Sequence, residues 1–142
     1  MKKNYPLFIC FFLLTIQIFG QTTRRGGIIF YENNGHGLVA DTTIPHWSTA
    51  DLIVAKKTCE NLVVNGFSDW HLTTKKELNQ LYLNKNKVRP YISTNQYYWS
   101  STVVVSPDVM DNYEWWTQGM GSGTQIGYSA TNSMNFRCVR AY

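Results

Sequence analysis

Beyond residue 25, apolar positions recur along the chain with different spacings, and each spacing predicts a different element. In "GGIIFYENNGHGLVA", apolar runs at 28–31 and 38–40 flank Asn33, Asn34 and Gly35, whose turn chemistry predicts a β-hairpin. In "STADLIVAKKTCENLVVNG", Leu52, Ala55, Cys59, Leu62 and Val63 fall at three- and four-residue steps, the pattern of an amphipathic helix. Ser48 or Thr49 is expected to cap its first N–H groups, Asp51 suits the positive end of its dipole, and Gly66 is expected to end it. Thr74 and Glu77 form a Thr-x-x-Glu capping box, predicting a second helix with Leu78, Leu81 and Tyr82 as its buried stripe, fading before Pro90.

From Tyr97 onward helix formers give way to aromatic and β-branched residues, Ser, Asn and Gly. "YYWSSTVVV", "NYEWWTQ", "TQIGYSA" and "MNFRCVRAY" read as strands separated by "SPDVMD", "GMGSG" and "TNS". The predicted order is a hairpin, two helices and an antiparallel meander whose terminal strand returns beside the first, which is an α+β fold.

The N-terminus changes the picture of where this fold resides. Lys2 and Lys3 precede an apolar run of about 13 residues interrupted by Thr15 and Gln17 and followed by Gly20, a secretory signal peptide too short to span a bilayer. Cys10 lies behind Phe8 and Ile9 and lacks the small residues that precede a lipid-modified cysteine. The expected organisation is a signal over 1–20, a flexible terminus over 21–25 and one domain over 26–142, exported to the periplasm, cell surface or medium, with no membrane insertion after cleavage.

Once Lys2 and Lys3 leave with the signal, 11 basic residues stand against 9 acidic ones, and they are dispersed, so nucleic acid is not an expected partner. Cys59 and Cys138 are the cysteines left after export, and an oxidising compartment makes a disulfide between the first helix and the last strand the simplest reading. A redox or nucleophilic thiol is the alternative.

"NGFSDWHLTTKKEL" has the look of chemistry. Asp69 and His71, with Ser100 or Ser101, suggest a hydrolase triad, although no G-x-S-x-G elbow exposes a nucleophile. The architectural reading places Trp70 and Leu72 in the core, lets Asp69 bond turn backbone, and treats Asp69, Trp70, Thr74, Glu77, Trp99 and Ser100 as structural. His36, His46 and His71 lack zinc spacing, and Asp108, Asp111 and Glu114 match no ordered calcium loop, so no metal and no cofactor are expected. "GMGSGT" lies between strands and reads as a hairpin loop.

Tyr97, Tyr98, Trp99, Tyr113, Trp115, Trp116 and Tyr128 are more rings than one strand face can hide. Tyr113, Trp115, Trp116 and Tyr128 are the candidate ligand-binding residues, because such rings combine apolar faces with polar tips suited to sugars or protein hot spots.

Taken in order, "GGIIFYENNGHGLVA", "TCENLVVNGFSDWHLTTKKELNQLY", "YYWSST" and "FRCVRAY" resemble the bacterial family of the C-terminal domain of the Legionella collagen-like adhesin. The resemblance implies a C-type-lectin-like fold, related to that of the formylglycine-generating enzymes, and a first-helix to last-strand disulfide that Cys59 and Cys138 match. Where the family usually has Asp-Trp-Arg-Leu-Pro-Ser, this chain has Asp69-Trp70-His71-Leu72-Thr73-Thr74. The Glu-Pro-Asn and Trp-Asn-Asp signatures of calcium-dependent lectins are absent, as is any collagen-like repeat. The expected function is a non-catalytic module binding a glycan or surface protein; the rivals are an enzyme using Asp69 and His71 and a structural partner in an envelope complex.

Overall fold

A computed structural model describes residues 25–105 and 113–142. The expected signal peptide and the acidic positions Asp108 and Asp111 lie outside these residues. Strands β1 (Ile28–Asn33) and β2 (His36–Ala40) form the predicted hairpin. They are followed by β3 (Thr49–Ala50), helix α1 (Leu52–Glu60), β4 (His71–Leu72), helix α2 (Lys75–Leu83) and a 3-10 turn, Lys85–Lys87. Strands β5 (Tyr97–Val104), β6 (Glu114–Gly119), β7 (Gln125–Ser129), β8 (Met134–Asn135) and β9 (Cys138–Ala141) complete the α+β fold.

The late strands do not make one meander. They divide between a four-stranded sheet ordered β1-β2-β9-β4 and a five-stranded sheet ordered β3-β8-β5-β6-β7. The terminal strand β9 returns beside β2 and β4, not beside β1 as expected, because β1 takes the outer place in its hairpin.

The start of α1 also differs from expectation. Thr49 and Ala50 pair with Asn135 and Met134 as β3, so neither Ser48 nor Thr49 is available as the cap. Asp51 caps instead, its side chain accepting from the Val54 N–H at 2.8 Å. The helix stops at Asn61 rather than Gly66. Asn65 and Gly66, both at positive φ, form the tight turn that closes the Val64–Phe67 bridge, and Val63 lies 67% exposed, off the buried face. The α2 prediction holds for its cap and most of its stripe: Thr74 and Glu77 make the reciprocal capping box, and Leu78 and Leu81 are buried, while Tyr82 is only half-buried.

Alternation along the strands builds two cores. Trp99 packs with Leu52, Ala55, Cys59, Trp70, Leu72, Phe136 and Cys138, whereas its neighbour Tyr98 packs with Phe30, Leu78, Leu81, Met120 and Val139. Burying each large apolar side chain contributes on the order of 2 kcal/mol. Helix α1 therefore closes one core and α2 the other. Cys59 and Cys138 are joined by a disulfide that ties α1 to β9.

Candidate functional site

The Asp69–His71 stretch resolves into architecture. Trp70 and Leu72 are each 2% exposed, and Trp70 Nε1 donates to the Phe67 carbonyl at 3.1 Å. The chief partner of the Asp69 carboxylate is not the turn backbone expected from sequence. The carboxylate accepts from Arg140 Nε at 2.7 Å and Nη2 at 3.0 Å, a two-pronged ion pair with a residue of the last strand. That pair holds the Asp69 carboxyl below its ordinary range.

His71 turns to α2, where its Nε2 lies 3.0 Å and 3.1 Å from the two carboxylate oxygens of Glu77. Glu77 also accepts from the Thr74 N–H and hydroxyl at 2.8 Å and 2.9 Å. The imidazole is held above its ordinary value, first by this carboxylate, against the opposing effect of burial. For Glu77 burial pushes upward, but the bonds from His71 and Thr74 outweigh it and its carboxyl titrates low. Ser100 is fully buried with its hydroxyl accepting from the Thr102 N–H, and the Ser101 hydroxyl donates to the Thr73 carbonyl. Trp99 Nε1 donates to the Ala50 carbonyl at 2.9 Å. Asp69, His71 and the serines thus have separate partners and no nucleophile–base bond joins them among the described residues. No group of three or more His, Cys, Asp and Glu side chains comes together among the described residues either.

The four candidate aromatics divide between faces. Trp115 and Trp116 are successive residues of β6, so their rings project to opposite sides. Trp116 lies on the α2 side, with Lys75 Nζ 3.2 Å from its ring centroid, a cation–π contact that covers its face. Trp115 lies on the α1 side, directly opposite Tyr128 in the β6–β7 register. The Tyr113 ring is 6.4 Å from Trp115, and Tyr128 meets Tyr97 edge-on at 6.2 Å. Tyr113, Trp115 and Tyr128 are therefore one aromatic face, with Tyr113 75% exposed and the other two half-buried.

Between this face and α1 runs a cleft of about 350 Å³ lined by Leu52, Ile53, Lys56, Lys57, Glu60, Ser101 and Trp115. A larger hollow of about 580 Å³ beside α2 is lined chiefly by polar and charged side chains, with Lys75, Glu77, Asn79 and Gln80 among them. The smaller cleft is the better candidate because one wall is an indole and both polar and apolar groups converge there.

Sequence reasoning counted Tyr97 among the crowded rings but not among the candidates, and it missed Ile126, which with Tyr97 shares the Trp115 face, and Ile53, 63% exposed on the cleft wall. Two-residue alternation along β7 links Ile126 with Tyr128. It also passed over Trp47, 69% exposed and stacked edge-on against His46 at 4.7 Å, for which no local period exists.

A sequence model of the family described as the Lcl C-terminal domain matches residues 26–140. Among solved structures, the crystal structure of botrocetin, a C-type-lectin-like protein, superposes with a TM-score of 0.50 over 78% of this chain and 94% of botrocetin, at 12% sequence identity. That likeness shows the fold. No curated protein matches the chain.

Proposed function

We propose that this chain, which belongs to the Lcl C-terminal domain family, is an exported, non-catalytic binding module of the adhesion type. The ligand is a glycan or a surface protein, held on the face of Tyr113, Trp115 and Tyr128. The observation that carries the reading is the cross-strand pairing of Trp115, whose indole lines the α1 cleft, with Tyr128, and the Tyr113 ring 6.4 Å from Trp115. Rings fixed on strands offer a sugar's C–H face or an apolar side chain a rigid platform at little entropic cost. Lys57, Glu60 and Ser101 supply hydrogen-bonding groups around it.

The non-catalytic reading draws support from the engagement of Asp69 by Arg140 and of His71 by Glu77, together with burial of Ser100. Export is supported by the Cys59–Cys138 disulfide, a bond suited to oxidising compartments. No helix among the described residues is long and apolar enough to cross a membrane. The test is to screen the protein and its Tyr113→Ala variant on glycan and matrix-protein arrays. Tyr113 is exposed, so the fold survives its loss; binding by the parent that disappears in the variant is expected, and equal binding by both rules the platform out.

A further inference from the structure

Two amides that line one hollow are held by a third that lies behind them. Gln118 of β6 is fully buried. Its Nε2 donates to Asn79 Oδ1 of α2 at 3.1 Å and to the Gly123 carbonyl at 3.4 Å, and its Oε1 accepts from Gln125 Nε2 of β7 at 3.1 Å. A backbone carbonyl can only accept, so Gly123 fixes which end of the Gln118 amide carries the nitrogen, and that choice sets the other two. Asn79 turns its oxygen to Gln118, and Gln125 turns its nitrogen there.

The groups left over belong to the hollow. Asn79 and Gln125 are half-buried and line the space of about 580 Å³ beside α2, together with Tyr31, Lys75, Lys76 and Gln80. Asn79 keeps both Nδ2 donors and Gln125 keeps its Oε1 acceptor, and neither group meets a partner among the described residues. A buried amide costs free energy unless its hydrogen bonds are made, and an apolar side chain in place of Gln118 would pack α2 on β6 without that demand. Gln118 is satisfied instead by amides that are themselves half used. The result is a donor and an acceptor held in fixed orientation on the wall of a hollow, whose size falls within the roughly 300–1,000 Å³ of small-molecule sites.

The two polarities together select a ligand. An anion such as sulfate only accepts hydrogen bonds, and it would set its oxygens against Gln125 Oε1. A cation only donates, and it would meet Lys75 and Lys76, neither of which is paired with a carboxylate among the described residues. A hydroxyl both donates and accepts. We propose that this hollow is a second binding site, for a neutral sugar whose neighbouring hydroxyls accept from Asn79 Nδ2 and donate to Gln125 Oε1. Gln118 and Gln125 lie on the α2 side of the sheet, and Trp115 and Tyr128 on the other, so the inference does not rest on what the aromatic face binds.

The test titrates the methyl glycosides of glucose, galactose and mannose, and separately sodium sulfate, into the purified isotope-labelled protein while NMR follows the side-chain amide signals of Asn79, Gln118 and Gln125. The expected result is a saturable shift of the Asn79 and Gln125 signals with at least one sugar, at millimolar affinity, and no such shift with sulfate. Asn79→Ala and Gln125→Leu, each shown by its backbone spectrum to be folded, should weaken binding of that sugar by about tenfold or more. Tyr113→Ala should leave it unchanged. Unmoved signals with all three sugars overturn the proposal whether or not the variants fold. So does an equal response to sulfate, or a sugar response kept in Asn79→Ala and lost in Tyr113→Ala, which would put the sugar on the aromatic face.

Discussion

His71 donates from Nε2 to both carboxylate oxygens of Glu77, the residue that also completes the cap of α2. The folded-state value of His71 lies above its ordinary 6.5, so the stabilisation from its charged form is whole below about pH 6.5 and is lost as pH rises through the raised value. Glu77 lies below its ordinary 4.5, so its contribution is present above that pH and is lost on acidification through the lowered value. Thermal stability is therefore expected to be greatest between about pH 4.5 and 6.5 as far as this pair is concerned. The His71 side chain is 38% exposed, and solvent screening keeps the alkaline loss under about 1 kcal/mol. Replacing it with arginine keeps the cation at all these pH values. Melting curves should show a flatter alkaline limb for His71→Arg; identical limbs in the two proteins would exclude the pair as its source.

Asp41 and Arg137, 0% and 1% exposed, form the most deeply buried ion pair among the described residues. Arg137 Nη1 also donates to the Ile44 carbonyl at 2.7 Å and Nη2 to that of Tyr91, and Asp41 accepts from the N–H groups of Thr43, Ile44 and Cys138. The network ties the loop after β2 to the start of β9. Arg137→Ala would strand the Asp41 charge in the interior, at a cost of about 3–5 kcal/mol. Denaturant titration should show the midpoint falling accordingly, and a change under about 1 kcal/mol would contradict the network's role.

The Cys59–Cys138 disulfide closes a loop across 79 residues of sequence separation. In the chain-entropy model such a link stabilises the fold by about 4 kcal/mol. The double variant Cys59→Ser with Cys138→Ser should unfold at correspondingly lower denaturant, and the denatured, unreduced parent should show no free thiol from this pair. Two titratable thiols there would refute the link.

Wherever a local period or a cap specifies an element, the sequence could be read: Asn34-Gly35 for the first hairpin, the three- and four-residue steps of Leu52, Ala55 and Cys59, and the Thr74–Glu77 box. Long-range pairing set the rest. Asp51 replaced Ser48 and Thr49 as cap because a strand 85 residues downstream claims Thr49 and Ala50, and no local pattern announces that. Asp69 finds Arg140 across 71 residues, a partner invisible to turn chemistry. The aromatic cluster was legible as an excess of rings, but its division into a Trp115 face and a Lys75-covered Trp116 face depends on the placement of both helices.

That division gives the most direct test of the proposed function. For a ligand identified on the arrays, affinities of the parent, Tyr113→Ala and Trp116→Ala are measured side by side, with melting temperatures as the check on folding. The account predicts a loss of at least about tenfold for Tyr113→Ala, in keeping with an exposed aromatic contact, and near-parental affinity for Trp116→Ala. Undiminished affinity in Tyr113→Ala, with the loss appearing instead in a folded Trp116→Ala, would contradict it.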